Sequence, residues 1–324
     1  MEEHTIIVGA GPCGLACALE LKRNNIDPLI IEKGNIVHTI YRFPTHQTFF
    51  SSSQNLEIGD IPFITEKTKP VRQDALAYYR EIVKRNQLRV NTFETVTNIS
   101  RENNSFTLHS VKKNQKKVYR ARHIILATGY YDQPRLMNIP GESLPKVMHY
   151  FNEAHPYYGA DVAIIGGKNS AVDAALALSH AGANITVLYR GSTYSQSIKP
   201  WILPEFKSLV NKEKISLEFN ADVTKITNDS LYYRVKDDNK IIKNDFVFAM
   251  TGYQPNIEFI KKCGIEVDGQ SGKPVKNENT FETNIPNLYV AGVIISGYNN
   301  NETFIENGRM HAYPIAQSIL QKNN

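Results

Sequence analysis

The run Thr5-Ile6-Ile7-Val8-Gly9-Ala10-Gly11-Pro12-Cys13-Gly14 decides the fold. Its first four residues are a short apolar stretch that stops at a glycine, the pattern of a strand buried in a parallel sheet. Gly9, Gly11 and Gly14 fit the spacing G-x-G-x-x-G. The first glycine permits a tight turn, the second lets a pyrophosphate approach the backbone, and the third lets a helix pack close to the strand. That helix is predicted from about Pro12 to Asn25, with Leu15, Ala18, Leu19 and Lys22 at helical spacing. Pro28-Leu29-Ile30-Ile31-Glu32 reads as the next strand. Phosphates would rest on the free N–H groups at the helix start, around Pro12 and Cys13. Glu32 ends the second strand where a carboxylate can accept ribose hydroxyls, and Lys33 follows it. Strand, turn, helix, strand and acid in this order set the segment apart from a plain αβ turn.

The pattern recurs. Asp161-Val162-Ala163-Ile164-Ile165 is a strand, Gly166-Gly167-Lys168-Asn169-Ser170-Ala171 a glycine turn, and Val172 to Gly182 a helix that stops on glycine. Asn184 to Arg190 is the strand that follows. One chain with two such units implies two nucleotides. The second turn departs from the first: Lys168 stands where a glycine is usual, and Ala171 takes the third place. Where the first unit has Glu32, we read Arg190 in the second, preceded by Tyr189. A carboxylate there would repel a 2′-phosphate, whereas arginine accommodates one, which points to NADPH rather than NADH.

Further apolar strands run into glycine at Ile124–Gly129, Phe246–Gly252 and Leu288–Gly292. Their ends place Thr128, Gly129 and Gly292 among the candidate cofactor contacts, because ligands in open α/β sheets bind beyond the carboxyl ends of the strands. A small β-meander is expected between Phe93 and Val118, with Val96 on it as another contact. A last helix is expected from about Thr303 to Gln321. Turn-rich stretches at Asp132–Gly141 and Tyr253–Asn256 suit crossings between domains. The expected fold is therefore α/β, with two Rossmann-like, three-layer ββα dinucleotide-binding domains. Residues 138–252 form a domain inserted into another made of 1–137 and 253–324.

Composition is that of an ordinary globular enzyme: 324 residues, 41% hydrophobic and 21% charged. The formal net charge of +5 is mild, and no Lys/Arg block argues for nucleic acid or a membrane surface as partner. The acidic start Met1-Glu2-Glu3-His4 runs straight into a strand without a signal-peptide pattern, and no apolar run approaches the ~20 residues of a membrane helix. Three cysteines, Cys13, Cys17 and Cys263, form no disulfide framework, so a reducing, cytoplasmic location is expected. There is no metal-ligand spacing and no nucleophile elbow.

With these residues in hand, the chain resembles the two-dinucleotide flavoprotein disulfide reductases of the thioredoxin reductase type. It is most similar among them to the bacillithiol disulfide reductase (YpdA-type) family. The resemblance is carried by Gly9–Gly14, by Pro44-Thr45-His46-Gln47-Thr48-Phe49-Phe50-Ser51-Ser52-Ser53 and by Gly166–Ala171. It is carried further by Ser197-Ile198-Lys199-Pro200-Trp201-Ile202-Leu203-Pro204 and Phe304-Ile305-Glu306-Asn307-Gly308-Arg309. These segments span nearly the whole chain. The resemblance implies FAD on the first unit, NADPH on the second, and reduction of oxidised bacillithiol, a low-molecular-weight thiol disulfide. It also implies contact of His46, Gln47 and Thr48 with the cofactor, and makes Cys13 the residue that meets the substrate.

Two departures from the wider thioredoxin reductase pattern matter. Those enzymes carry a redox C-x-x-C shortly before the second glycine turn; here the place reads His149-Tyr150-Phe151-Asn152, so a dithiol relay there is impossible. Their last strand ends in Ala-Gly-Asp, whose acid holds the flavin's ribityl chain; here it reads Ala291-Gly292-Val293. Asn299, Glu302 and Glu306 are the candidate replacements. Cys13 sits at a helix N-terminus, which lowers a thiol pKa, while a neighbouring pyrophosphate raises it; the sequence does not say which prevails. Cys13 is the catalytic candidate, against the bland reading of a small residue filling a turn. Cys17, one helical turn on, reads as core, and Cys263 before Gly264 as a helix end. The last helix would direct its N-terminus at the flavin, with Gly308 either admitting the ring or serving packing.

Other classes share parts of this pattern. A flavin-dependent monooxygenase loosely matches Lys146-Val147-Met148-His149 and Asn169-Ser170, but the glycine it carries before the histidine is missing. A ferredoxin/flavodoxin–NADP reductase-like enzyme also lacks C-x-x-C. A non-enzymatic NADPH-sensing flavoprotein would show flavin reduction without a competent acceptor. Dimers are common in such folds, but the sequence carries no interface signal for a homo-oligomer.

Overall fold

The computed structural model describes residues 2–299 and 301–322. In chain order its strands begin with β1 (Glu2–Val8), β2 (Leu29–Ile31), β3 (Arg89–Asn91), β4 (Glu94–Glu102), β5 (Ser105–Lys112) and β6 (Gln115–Leu126). Then come β7 (Val147–Met148), β8 (Asp161–Ile165), β9 (Asn184–Tyr189), β10 (Ile215–Phe219) and β11 (Ala221–Ile226). The series ends with β12 (Ser230–Val235), β13 (Asp238–Lys243), β14 (Phe246–Ala249) and β15 (Leu288–Val290). The chain divides into two compact units. One comprises Met1–Arg42, His46–Gln133 and Tyr253–Asn324, the other Phe43–Thr45 and Pro134–Gly252.

In the first unit the parallel strands run β3-β2-β1-β6, with β15 on the far side of β6. Ile6, Ile7, Ile30, Ile124, Ile125 and Leu126 are fully buried, as expected for strands covered on both faces. Burial of each such side chain contributes about 1.5–3 kcal/mol, so packing holds the glycine loop at the end of β1. Strand β6 does two jobs. Residues Ile124–Leu126 pair with both β1 and β15, while Gln115–Ala121 pair antiparallel with β5, and β5 with β4. The sequence reading splits this strand into a meander strand and a core strand. Both parts are there, but in one continuous piece whose pattern changes midway. Tyr119 and Ala121 are buried between exposed Arg120 and Arg122, and then every residue from His123 to Leu126 is buried.

The second unit holds a five-stranded parallel sheet, β10-β9-β8-β14-β7, and a three-stranded antiparallel sheet, β11-β12-β13. Alternate residues of β8 serve different layers. Val162 and Ile164 pack with the Asn169–His180 helix through Val172, Ala175 and Leu176. Ala163 and Ile165 pack with Leu231 and Tyr233 of β12. This is the three-layer ββα arrangement, produced by the two-residue period of a strand.

The last helix differs from expectation. In place of one helix from Thr303 there are three pieces: Ile305–Gly308, a 3-10 turn at Arg309–His311, and Ala312–Gln321. Pro314 has no N–H to give to the carbonyl of Met310, so the ladder is interrupted before it. No helix among the described residues is long and apolar enough to cross a membrane.

Candidate active site

Gly9 has φ +109°, and a Cβ there would stand 2.4 Å from the Ala127 carbonyl oxygen. Gly14 is needed for contact alone: a Cβ would stand 2.1 Å from the Gly9 oxygen. At Gly11 a Cβ would meet nothing within 4 Å. Gly11 is the N-cap of the Pro12–Arg23 helix, with no side-chain cap. The first helical bond back to it comes from the Leu15 N–H, at 2.9 Å. Open space therefore lies over the helix start, where the N–H groups of Cys13 and Gly14 have no intrahelical acceptor. That is the cradle a dinucleotide phosphate requires.

Glu32 braces this loop. Its Oε2 accepts the Ala10 N–H at 2.8 Å and its Oε1 the Gly34 N–H at 2.7 Å. Two carboxylate oxygens retain lone pairs beyond these, so ribose hydroxyls still find acceptors. The Glu32 backbone is held on both sides: its N–H donates to the Asn91 carbonyl, and its carbonyl accepts from the Glu94 N–H, each at 2.9 Å. Glu94, which sequence reasoning missed, is fully buried. Its Oε1 accepts from Ser110 Oγ at 2.6 Å and from the Tyr119 hydroxyl at 2.8 Å. Its Oε2 lies 3.6 Å from Lys117 Nζ. Asn91 Nδ2 donates to the Tyr119 hydroxyl at 3.2 Å. Asn91 on β3 and Glu94 on β4, the two residues that hold the Glu32 backbone, are thus joined through one polar network.

The other expected contacts in this unit have mixed settings. Lys33 is exposed and paired with Asp132 at 2.7 Å. Thr128 and Gly129 follow β6, partly accessible, and a Cβ on Gly129 would meet open space. Val96 is half-buried beside an irregularity in the β4–β5 register. His46 and Thr48 are exposed. The Gln47 carbonyl accepts the Arg72 N–H at 2.8 Å, and Thr48 bridges to Val71, which fixes this stretch against the start of the Arg72–Arg85 helix.

Around Cys13 the chain converges from distant positions. A Cβ on Gly292 would stand 3.0 Å from Cys13 Sγ, and one on Gly308 2.8 Å from it. Gly308 is thus a packing glycine against the thiol. Cys13 is partly accessible, and all three cysteines are free. Burial, and then the Glu306 carboxylate, push its thiol up to about 12. Both causes act in the same direction and favour the protonated thiol. Glu306 accepts a hydrogen bond from Ser51 Oγ. The other two ribityl candidates are occupied elsewhere. Lys273 Nζ lies 2.6 Å from Glu302 Oε2, and Asn299 Nδ2 donates to Glu302 Oε1 at 2.8 Å. Cys17 is buried, and burial followed by Cys13 pushes its thiol well up. Cys263 caps the short Ile257–Lys262 helix before Gly264. His311, also missed, accepts the Gly292 N–H on Nδ1 at 3.1 Å and stacks on Phe281 with ring centroids 4.2 Å apart.

In the second unit Gly166, with φ +135°, matches Gly9: a Cβ would stand 2.5 Å from the Met250 carbonyl oxygen. Lys168 is the exposed N-cap of the Asn169–His180 helix, and Ser170 beside it is exposed. Ala171, at the place of Gly14, is buried, with its Cβ 3.4 Å from where a Cβ on Gly166 would stand. The Asn169 amide is used within the fold, donating to the Ser197 carbonyl and accepting the Lys199 N–H, both at 2.9 Å. One equivalence differs from the sequence reading. The Gly9 N–H donates to the Ile31 carbonyl at 2.9 Å and the Gly166 N–H to the Leu188 carbonyl at 3.0 Å. Leu188 is therefore the counterpart of Ile31, and Tyr189, not Arg190, the counterpart of Glu32. Arg190, exposed, matches Lys33. Strand register fixes this relation, and the spacing agrees with it: Glu32 lies 23 residues after Gly9 and Tyr189 lies 23 after Gly166, whereas Arg190 is one place further on.

Two glycine-turn units in one chain, the first with a thiol in its phosphate loop, define a two-dinucleotide oxidoreductase. The chain belongs to the pyridine nucleotide-disulphide oxidoreductase family, whose model matches residues 6–292. It is an enzyme of that family, which works with a flavin and a pyridine nucleotide. Over 326 residues it is 55% identical to the bacilliredoxin reductase Bdr of Bacillus subtilis, covering 100% of this chain and 99% of the relative. The solved bacillithiol disulfide reductase Bdr (YpdA) of Bacillus cereus superposes with a TM-score of 0.98 at 55% identity, over 99% of this chain and 100% of the other. The protein of the same name from Staphylococcus aureus gives 0.96 at 56% identity, with 100% of each chain covered.

Proposed function

We propose that this chain is an NADPH-dependent, FAD-containing reductase of a low-molecular-weight thiol disulfide, with oxidised bacillithiol as substrate. The observation that carries the reading is the position of Cys13: a partly accessible free thiol on the phosphate loop, with no second accessible cysteine to pair with it. The names of the relatives with about half their residues in common support the substrate. The free cysteines suit the reducing cytoplasm.

Bound FAD supplies the two-electron link between pyridine nucleotide and disulfide. Gly9, Gly11, Pro12, Cys13 and Gly14 form its phosphate cradle, and Glu32 accepts its ribose hydroxyls. Glu306, the ribityl candidate nearest Cys13, takes the place of the acid missing at Val293. In the second unit the turn Gly166–Ala171 takes the NADPH phosphates, and Arg190 the 2′-phosphate. At the thiol the steps balance. Cys13 loses its proton and attacks one sulfur of the substrate, releasing one thiol and leaving a mixed disulfide on Cys13. Two electrons and two protons, together the yield of NADPH and one solvent proton, then release the second thiol and restore the Cys13 thiol. Overall, NADPH, a proton and one disulfide give NADP⁺ and two thiols.

The test is NADPH oxidation by the loaded enzyme with oxidised bacillithiol, bacilliredoxin, thioredoxin, ferredoxin and oxygen side by side. Turnover with oxidised bacillithiol is expected, lost in Cys13→Ala while FAD stays bound. Turnover retained in that variant rules out the cysteine route. The bacilliredoxin arm is included because one relative's name gives that protein as acceptor. For the coenzyme, Arg190→Ala is expected to raise the KM for NADPH strongly and for NADH little; equal effects remove Arg190 from the 2′-phosphate.

A further inference from the structure

In the first unit the two oxygens of Glu32 bridge the N–H groups of Ala10 and Gly34. The register set by the Gly9 and Gly166 bonds makes Gly167 the counterpart of Ala10 and Gly191 the counterpart of Gly34. The side chain between them is the ring of Tyr189. A Cβ on Gly167 would stand 2.3 Å from Tyr189 Cγ, and a Cβ on Gly191 2.5 Å from Tyr189 Cε1. Neither glycine is among those with positive φ. Their backbone conformations suit any residue, so the demand for glycine comes from the ring. Two glycines and a tyrosine together make one built feature: a flat slot filled by an aromatic ring where the other unit has a carboxylate.

We propose that Tyr189 sets the choice of pyridine nucleotide by filling the slot from which an acid would otherwise accept a ribose 2′-hydroxyl. This rests on the reading of the second unit as the NADPH site. A carboxylate at this place helps NADH, because it accepts the free hydroxyl in a charge-assisted bond, and it repels a 2′-phosphate. The ring face does neither. NADH loses its acceptor, and NADPH meets no negative charge. The exposed Arg190, one residue on, then attracts the 2′-phosphate. Discrimination thus has two parts, an acceptor withheld by Tyr189 and a cation supplied by Arg190.

The test is steady-state reduction of the FAD-loaded, full-length enzyme by NADPH and by NADH, with kcat/KM for each, in the wild type and at Tyr189. In Tyr189→Glu the ratio of NADPH to NADH efficiency is expected to fall about 100-fold or more, from a hydroxyl acceptor gained and a repulsion introduced. In Tyr189→Gln, which accepts a hydroxyl without repelling a phosphate, the ratio falls less, through better use of NADH. In Tyr189→Leu, which keeps the slot apolar, NADPH remains preferred. Far-UV circular dichroism and flavin content establish folding. If the glutamate variant fails to fold, the glutamine variant carries the test, with 2′,5′-ADP and 5′-AMP compared as competitive inhibitors. A folded Tyr189→Glu or Tyr189→Gln enzyme whose ratio stays at the wild-type value overturns the role of Tyr189. A wild type that uses NADH as well as NADPH overturns the NADPH reading itself.

Discussion

The sulfur of Cys13 rests against the Cα of Gly308, leaving no room for a methyl group: a Cβ on Gly308 would stand 2.8 Å from Sγ. The contact ties the phosphate loop near the start of the chain to the segment before its last helix. Gly292 closes on the same thiol from the end of β15. The reactive candidate is positioned by two glycines that carry no chemistry of their own.

Gly308→Ala is therefore expected to displace the thiol or the loop that carries it. Cys13 is too short to swing aside freely, and Gly292 blocks part of its escape. Overpacking at such a site costs about 1–3 kcal/mol. A drop in melting temperature, with a changed alkylation rate at Cys13, is the expected outcome. An unchanged melting temperature and rate would show that the contact relaxes freely.

The Glu306 carboxylate is one of the two causes that raise the Cys13 thiol. Glu306→Gln removes a negative charge beside a group that becomes negative, so the pKa must fall. At any pH between neutrality and 11, the variant should react faster with iodoacetamide than the wild type, by several-fold. Alkylation of Cys17 is separated by peptide mapping. The same rate in both proteins would mean that burial alone sets the thiol.

His311 is buried, and burial, then Lys276, lower its pKa to about 4. Unfolded, it returns to about 6.5. The folded pKa is the lower, so the unfolded chain binds the extra proton. The stability contribution is complete above pH 6.5 and is lost as pH falls from 6.5 to 4. Its full size is about 3 kcal/mol. Protonation also removes the Nδ1 acceptor of the Gly292 N–H. Urea unfolding from pH 7 to 4 should show a loss of stability that flattens in His311→Gln. A wild-type slope kept by the variant would assign the loss to other groups.

Tyr119 donates one of the two hydrogen bonds received by the buried Glu94. Tyr119→Phe leaves that carboxylate short of a donor in a low-dielectric setting, at a cost of about 1–3 kcal/mol. Because Asn91 and Glu94 hold the backbone of Glu32 on both sides, FAD should also dissociate faster from this variant. Recovery of flavin fluorescence on dilution reads the rate. Loss of stability with unchanged FAD release would make the network purely structural.

Much of the first unit was legible in the sequence because its signals are local. Gly9, Gly11 and Gly14 state a turn geometry by spacing alone, and Thr5–Val8 states burial by composition. The lack of a cysteine at His149–Asn152 is read directly. Strand β6 was divided because its pattern changes midway, and only pairing with β5, β1 and β15 shows its continuity. The last helix was read as one piece because its apolar spacing runs past Pro314. The equivalence of Tyr189 and Glu32 is legible in the equal spacing of 23 residues from Gly9 and from Gly166, but the charged Arg190 one place on draws the reading to itself, and the strand register corrects it.

The sequence by itself determined two glycine-turn units, an acid after the first, an arginine near the end of the second, and a lone thiol in the first loop. Each is a short-range pattern in which backbone sterics allow few alternatives. Only the tertiary structure decided what surrounds that thiol and what fills the slot of the acid. Gly292, Gly308 and Glu306 reach Cys13 from the other end of the chain, and the need for glycine at 167, after β8, comes from the Tyr189 ring at the end of the neighbouring strand β9. Such contacts depend on which surfaces the packed core brings together, and no local preference records them.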